Sequence, residues 1–314
     1  MPKVRSPNKP LSTVNVFPQA DGTIDVEACF MPDPDLLAGE GSSRAVLALD
    51  ASRSIKAAYG DSGPFGGGSP NYVQAVARKI GEILADTTKD GKVSMLYWAM
   101  GLGNDTEAIG EFDSVGCQQA KISGPKKNWG KGTRLMPVIK SIVDNDYAQA
   151  DWVMGVIITD GIIEDEQDCI DYCMQLGEGL LQQVNAGQRR KDSLKLVLIG
   201  VGEEVDVGQL ERFDDMFEGS SLESDIDLWS SGVAADMQDE EDILGVVFGE
   251  LMSEETIVAD SGRILDSQGN EVASFSDGLP GKFRFKLPSG SSGFKVTTPK
   301  GEVEQDISEA VAGN

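Results

Sequence analysis

The stretch that most limits what this chain can fold into is the apolar run Ala45-Val46-Leu47-Ala48-Leu49 and the polar residues that end it, Asp50-Ala51-Ser52-Arg53-Ser54. An apolar run that stops at a carboxylate reads as the carboxyl end of a buried parallel strand, and open α/β sheets bind ligands at such ends. Val156-Ile157-Ile158-Thr159-Asp160-Gly161 repeats the pattern, and Gly132-Thr133 opens a helical pattern after a loop. If the strands bearing Asp50 and Asp160 are neighbours, three loops bring two carboxylates together with the hydroxyls of Ser52, Ser54 and Thr133. An oxygen-only set of this kind suits a hard divalent cation.

Charge and residue usage narrow the chemistry. The 314 residues include 27 basic and 52 acidic side chains, a net charge of −25 that disfavours nucleic acid as a partner. Between Glu203 and Glu255 stand eighteen acidic residues and one basic, Arg212. That segment reads as solvated acidic surface or as a seat for a basic partner. The chain has no histidine, which excludes a Ser-His-Asp relay, H-E-x-x-H zinc hydrolysis and histidine general-base chemistry. Gly60-Asp61-Ser62-Gly63-Pro64 is therefore only a chance likeness to a serine-protease nucleophile loop. The four cysteines, Cys29, Cys117, Cys169 and Cys173, are too few for a disulfide framework and are read as reduced thiols. The amino terminus lacks an apolar signal region and no stretch approaches a membrane span, so a cytoplasmic protein without a membrane partner is expected.

Along the chain, residues 1–10 read as a mobile tail. Two alternating segments around Gln19-Ala20-Asp21-Gly22 predict a hairpin within 11–43. Gly60 to Pro70 holds five glycines and is either a plain surface loop or a rim beside the metal. Helices are predicted over 72–86, 135–143, 164–185 (with Ile170, Cys173, Leu180 and Val184 aligned), 209–217 and 240–252. Strands are predicted over 93–100, 151–160 and 194–201, with an edge strand at 226–229. Residues 101–132 are irregular and read as two short edge strands and a long loop. Alternating strands and helices imply right-handed crossovers and a parallel sheet covered on both faces. From Thr256 the pattern turns to β, with four short strands at 263–265, 271–273, 282–287 and around Phe294 and Val296. These are expected to pair with the hairpin as a small antiparallel β-sandwich. The fold class expected is α/β, a doubly wound, mostly parallel sheet flanked by helices, with that sandwich built from both chain ends. The expected domains are the tail 1–10, the hairpin half 11–43, the α/β domain 44–252, the sandwich remainder 253–308 and a tail 309–314.

Lys121, Lys126, Lys127, Lys131 and Arg134 form a run without an acidic residue, either a solvated loop or a basic rim for an acidic ligand. Trp129 within it is an interaction anchor if exposed and a pin for the loop if tucked in. Gly130-Lys131-Gly132-Thr133 lacks the spacing of a phosphate-binding loop.

The D-x-S-x-S of Asp50, Ser52 and Ser54, then Thr133, then Asp160-Gly161, in this order and on these element ends, resemble the metal-ion-dependent adhesion site of von Willebrand factor A domains. The resemblance covers roughly residues 44–252. It implies Ser52, Ser54 and Thr133 as hydroxyl ligands, with Asp50 and Asp160 binding directly or through water. The implied metal is magnesium, with manganese or calcium as alternatives. Its open position would take an Asp or Glu carboxylate of a partner protein, with Lys126, Lys127, Trp129 and Lys131 as the candidate partner-binding residues. No residue is assigned a catalytic role, and the implied protein is a binding module, not an enzyme. The alternative is a hydrolase using the same cation, with Glu164 or Asp165 as its base. A cytosolic, acidic, cysteine-poor member resembles the bacterial group found with tellurium-resistance and stress proteins or with MoxR-type AAA+ ATPases, which implies an adaptor in such a complex.

Overall fold

The computed structural model describes residues 4, 7–31, 41–60, 70–125, 129–223, 225–226, 228–234, 243–244, 246–247 and 257–312. Two compact units divide the chain, one of Leu37–Val247 and one of Met1–Leu36 with Phe248–Asn314. The chain opens with β1 (Leu11–Pro18) and β2 (Ile24–Phe30), then enters the larger unit through β3 (Ser43–Asp50). There follow α1 (Tyr72–Asp86), β4 (Lys92–Met100), β5 (Asp105–Asp113), α2 (Ser114–Gln119), α3 (Met136–Ser141), β6 (Trp152–Thr159), α4 (Glu166–Asn185), β7 (Leu194–Val201), α5 (Val207–Asp214) and β8 (Trp229–Ala234).

In the larger unit these strands make one sheet in the order β5-β4-β3-β6-β7-β8. The pairs β3–β4, β3–β6, β6–β7 and β7–β8 are parallel, and β5 joins β4 antiparallel. The order reverses between β3 and β6, since the chain winds outward from β3 through β4 and outward again from β6 through β7. Such a reversal leaves a crevice at the carboxyl ends of the two central strands. Every residue of β6 is buried, as an unbroken apolar run demands of a strand covered on both faces. On one face α1 buries Val73, Val76, Ala77, Ile80 and Leu84, and the side chain of Asn71 caps it by accepting from Gln74 N. On the other, Leu135, Val138 and Ile139 of α3 and its lead-in and Cys169, Cys173 and Leu180 of α4 join one core with Val46, Ala48, Val153, Ile157, Leu196 and Leu198. Each large apolar side chain so buried contributes about 1.5–3 kcal/mol.

Several local expectations are corrected. Among the described residues of 101–132 stand one nine-residue strand, β5, and the short helix α2, where two short strands are expected. No residue of β5 is fully buried, so it lacks the alternation that marks a strand in sequence. The buried stripe of α4 is Cys169, Cys173, Gly177 and Leu180, in place of one through Ile170 and Val184. The parallel edge strand β8 begins at Trp229, where 226–229 was expected. Of the glycine-rich stretch, 61–69 lie outside the described residues, as does most of the helix expected at 240–252, although Ile243 and Val247 are buried.

The second unit continues with β9 (Ile257–Ala259), β10 (Gly262–Asp266), β11 (Glu271–Phe275), β12 (Leu279–Pro280), β13 (Lys282–Leu287), β14 (Gly293–Thr298), β15 (Gly301–Asp306) and α6 (Ser308–Ala312). Seven strands stand where four were expected, because β9, β12 and β15 are short or largely polar. The hairpin β1–β2 takes β13 as a third, antiparallel strand with Val26 opposite Phe285, and β11-β10-β14-β15 form a second sheet. Phe283 and Phe285 of β13 face Phe275 and Phe294 of that second sheet at ring-centroid distances of 6.0 and 4.9 Å, so an aromatic layer joins the two sheets. Described residues within the ends expected as tails make contacts. Asn8 donates its N–H to Gln305 Oε1 and its Nδ2 to the Glu304 carbonyl, each at 2.7 Å, and Ala310 of α6 is buried.

Phe285→Ala removes a 7% exposed ring from this layer and is expected to cost about 3–5 kcal/mol. Hydrogen exchange should show lost amide protection across 257–306 with protection across β3, β6 and β7 retained. Unchanged protection at 282–298 would show that the layer does not hold the sheets together.

Candidate metal centre

At the β3/β6 crevice Leu49 lies opposite Ile158, and each strand leaves the sheet on a carboxylate one or two residues later. Asp50 is fully buried. Its Oδ1 accepts from Ser52 N at 2.6 Å, the turn that an Asp makes with the backbone two residues on, and its Oδ2 accepts from Thr159 Oγ1 at 2.7 Å. Tyr59 donates its hydroxyl to the Asp50 carbonyl at 2.8 Å. Across the crevice Ser54 Oγ donates to Asp160 Oδ1 at 2.9 Å, and the Ser52 and Ser54 hydroxyls are 2.9 Å apart. Ser52 Oγ makes a longer contact of 3.5 Å with the same Asp160 oxygen. Asp50, Ser52, Ser54 and Asp160 therefore form one hydrogen-bonded cluster, with Thr159 and Tyr59 bonded to Asp50.

Thr133 reaches the cluster on a loop docked by backbone bonds. Gly130 N donates to the Ala51 carbonyl at 2.9 Å and Arg53 N donates to the Gly130 carbonyl at 3.1 Å, so the loop adds a short parallel bridge to the end of β3. Glycine is required at 130, since a Cβ there would fall 1.6 Å from the Ala99 carbonyl oxygen. Ala99 itself adopts φ 58°, a left-handed conformation that costs about 1 kcal/mol or more in an alanine. Thr133 is buried, and a Cβ on Gly161 would stand 3.4 Å from its Oγ1, which places this hydroxyl beside the Asp160-Gly161 turn.

Burial, reinforced by Asp160, pushes the Asp50 carboxyl up to about 7 against the opposing bonds from Ser52 and Thr159. Burial also raises Asp160, with Ser54 opposing and Glu204 adding to the rise. Two carboxylates held at one apolar edge thus resist being charged together unless a cation lies between them. The donor set is hydroxyl and carboxylate oxygen only, which fits magnesium, manganese or calcium and excludes a soft-ligand metal. Among the described residues no group of three or more His, Cys, Asp or Glu is placed to hold a metal, so a cation here would need the hydroxyls of Ser52, Ser54 and Thr133 beside Asp50 and Asp160.

The neighbouring residues divide. Lys126 and Lys127 lie outside the described residues. Trp129 is half-buried, edge-on to Tyr59 at 5.1 Å with Lys56 Nζ 5.9 Å above its ring, so it pins the loop. Lys131 is exposed, and its N–H donates to the Gly101 carbonyl. Asp165 spends both carboxylate oxygens on Leu135 N and Met136 N, at 2.7 and 3.1 Å, at the start of α3. Glu164 is 3.9 Å from Arg134. The four cysteines are buried and not joined in disulfides, and burial raises each thiol, Cys29 and Cys173 to about 11. Thr159, Tyr59 and Gly130 were not singled out from the sequence. Only Thr159 carried a signal there, as a polar residue inside an otherwise apolar strand.

The sheet order, the parallel strands and the helices on both faces make a doubly wound, mostly parallel, Rossmann-like α/β fold. No family model and no curated protein matches the chain. Among solved structures it is similar to the ArnB paralog VWA2 of Sulfolobus acidocaldarius, at 14% identity over 95% of this chain and 74% of that one, TM-score 0.40. It is similar also to the pilus adhesin SpaC of Lactobacillus rhamnosus GG, at 9% identity over 94% of this chain and 47% of that one, TM-score 0.42. The vWF domain of the type V pili tip protein Mfa5 of Porphyromonas gingivalis matches at 16% identity over 39% of this chain and 38% of that one, TM-score 0.26. Among the described residues no helix is long and apolar enough to cross a membrane.

The raised carboxyls fix the sign of a pH effect. Without a cation the folded chain binds more protons than the unfolded chain between pH about 4 and 7, so Asp50 costs no stability below that window and its cost grows as pH rises through it. In EDTA the melting temperature of Asp50→Asn, relative to the natural chain, should therefore rise steadily from pH 4 to pH 7. A difference that does not vary with pH would show that Asp50 carries no such burden.

Proposed function

We propose that this protein is a metal-dependent protein-interaction module that coordinates an Asp or Glu carboxylate of a partner. The observation that carries the reading is the cluster of Asp50, Ser52, Ser54 and Asp160 at the sheet's reversal point, with the Thr133 hydroxyl brought beside it. When bound, a magnesium ion would supply an electrophilic position for an anionic oxygen. The protein's own residues would orient it, with Ser52, Ser54 and Thr133 offering hydroxyl oxygens and Asp50 and Asp160 balancing its charge.

The surroundings favour a macromolecular ligand. Leu102 is 71% exposed in the turn whose Gly101 carbonyl receives Lys131 N, and Ile162, two residues past Asp160, is 57% exposed. Exposed large apolar groups beside a polar centre suit a protein surface. Arg53 and Lys131 are exposed on the same edge and suit an acidic group. The alternative hydrolase lacks support, because Asp165 is occupied as a helix cap and Glu164 faces Arg134. The resemblance adds the narrower reading of an adaptor in a bacterial stress-response or MoxR-type AAA+ assembly.

A ligand at a hundredfold excess over its Kd stabilises by about 2.7 kcal/mol, a rise of roughly 5–10 °C for a unit of this size. Magnesium should produce such a rise in the natural chain and none in Asp160→Ala. The tagged protein should then retain its partner in magnesium and lose it both in EDTA and in Ser54→Ala. A partner held equally in EDTA places recognition elsewhere, and the acidic segment 203–255 becomes the surface to test.

A further inference from the structure

Thr159 is fully buried on β6, one residue before Asp160, and its hydroxyl joins the two carboxylate loops. It donates to Asp50 Oδ2 at 2.7 Å and accepts from Gly161 N at 3.3 Å. Asp50 Oδ1 is held from the other side by Ser52 N at 2.6 Å. Each oxygen of Asp50 thus accepts from a donor of the protein itself, one in the loop after β3 and one on β6, which fixes the carboxylate's orientation and opposes its turning to offer both oxygens to one ion.

That constraint bears on which ion the centre prefers. Calcium takes six to eight oxygens at longer distances and often takes a carboxylate by both oxygens, whereas magnesium keeps octahedral geometry and several waters and needs only one or two carboxylates. Resting on the metal reading above, we propose that Thr159 is a positioning residue that sets the ion preference of this centre. By tying down Asp50 Oδ2 it withholds a two-oxygen carboxylate and favours magnesium over calcium. Partners that fix the orientation of a metal ligand typically change affinity by about 10–100-fold when removed. Here the change should be unequal for the two ions.

Thr159→Val keeps the branched shape and removes the donor, and Thr159→Ser keeps the donor. The test is calorimetric titration of the full chain, freed of metal with EDTA and dialysed, with magnesium chloride and separately with calcium chloride. Thr159→Val should bind magnesium about tenfold more weakly while calcium binding holds or tightens, and Thr159→Ser should keep the natural preference. If Thr159→Val weakens both ions equally, or neither, the role in selectivity is overturned while the metal centre stands. A natural chain that binds neither ion removes the metal reading and this proposal together. Should Thr159→Val lose its circular dichroism signal, Thr159→Ala, which deletes the donor without adding bulk, gives the same comparison.

Discussion

The larger unit depends on one electrostatic constraint, that two carboxylates end the two central, parallel strands of the sheet, where the strands are buried. Asp50 and Asp160 are brought together by the same burial that makes the sheet stable, and that burial opposes their charge. The local sequence answers with donors. Ser52 gives its amide and Thr159 its hydroxyl to Asp50, and Ser54 gives its hydroxyl to Asp160. A buried carboxylate with no donor is far more costly than one with two or three. The hydroxyls of Ser54 and Thr159 therefore serve the fold as well as suiting the centre for binding.

A second requirement is met by backbone. The loop bearing Thr133 has to be held at a fixed distance from β3, and it is held by the two backbone hydrogen bonds between Gly130 and the Ala51–Arg53 segment. That approach is close enough to forbid any side chain at 130 and leaves Ala99, whose carbonyl lies beneath, in a left-handed conformation. Trp129 and Tyr59 close the same corner, with Tyr59 also bonded to the Asp50 carbonyl. An anchored aromatic next to a glycine gives the loop one position, which is what a short hydroxyl at 133 needs if it is to act with residues eighty positions away in sequence.

How much of this was legible follows from where each signal lies. Asp50 and Asp160 were legible because an apolar run ending on a carboxylate is a local pattern, and burial on both faces leaves that run unbroken. Thr133 became legible only through its order relative to them. Thr159 reads in sequence as one hydroxyl in a strand, and its role exists only because β6 pairs with β3 in the register that sets Leu49 opposite Ile158. Gly130 and Tyr59 depend likewise on contacts that no spacing reveals. Strand bounds and number are poorly legible where solvent, not core, faces the strands. β5 has no fully buried residue, and β15 buries only Val303 and Gln305 of six. Asn8 was read as part of a tail because its partners, Glu304 and Gln305, come almost three hundred residues later.

On the proposed reading, the overall charge restricts how a cation-loaded centre would recognise an acidic group. A chain of net charge −25 repels anions at a distance, and at physiological ionic strength that repulsion decays over about 8 Å. A divalent cation between two ionised carboxylates is locally neutral, so the centre exerts little long-range pull of its own. The attraction has to be short-ranged, through direct coordination of an oxygen and through nearby exposed cations such as Arg53 and Lys131. Carboxylates without a complementary surface would then be held weakly, while one presented beside apolar groups able to cover Leu102 and Ile162 would gain area burial that salt does not screen. On the proposed reading, the acidic surface serves selectivity, because it penalises anions of like charge alike and leaves shape and coordination to decide which of them stays.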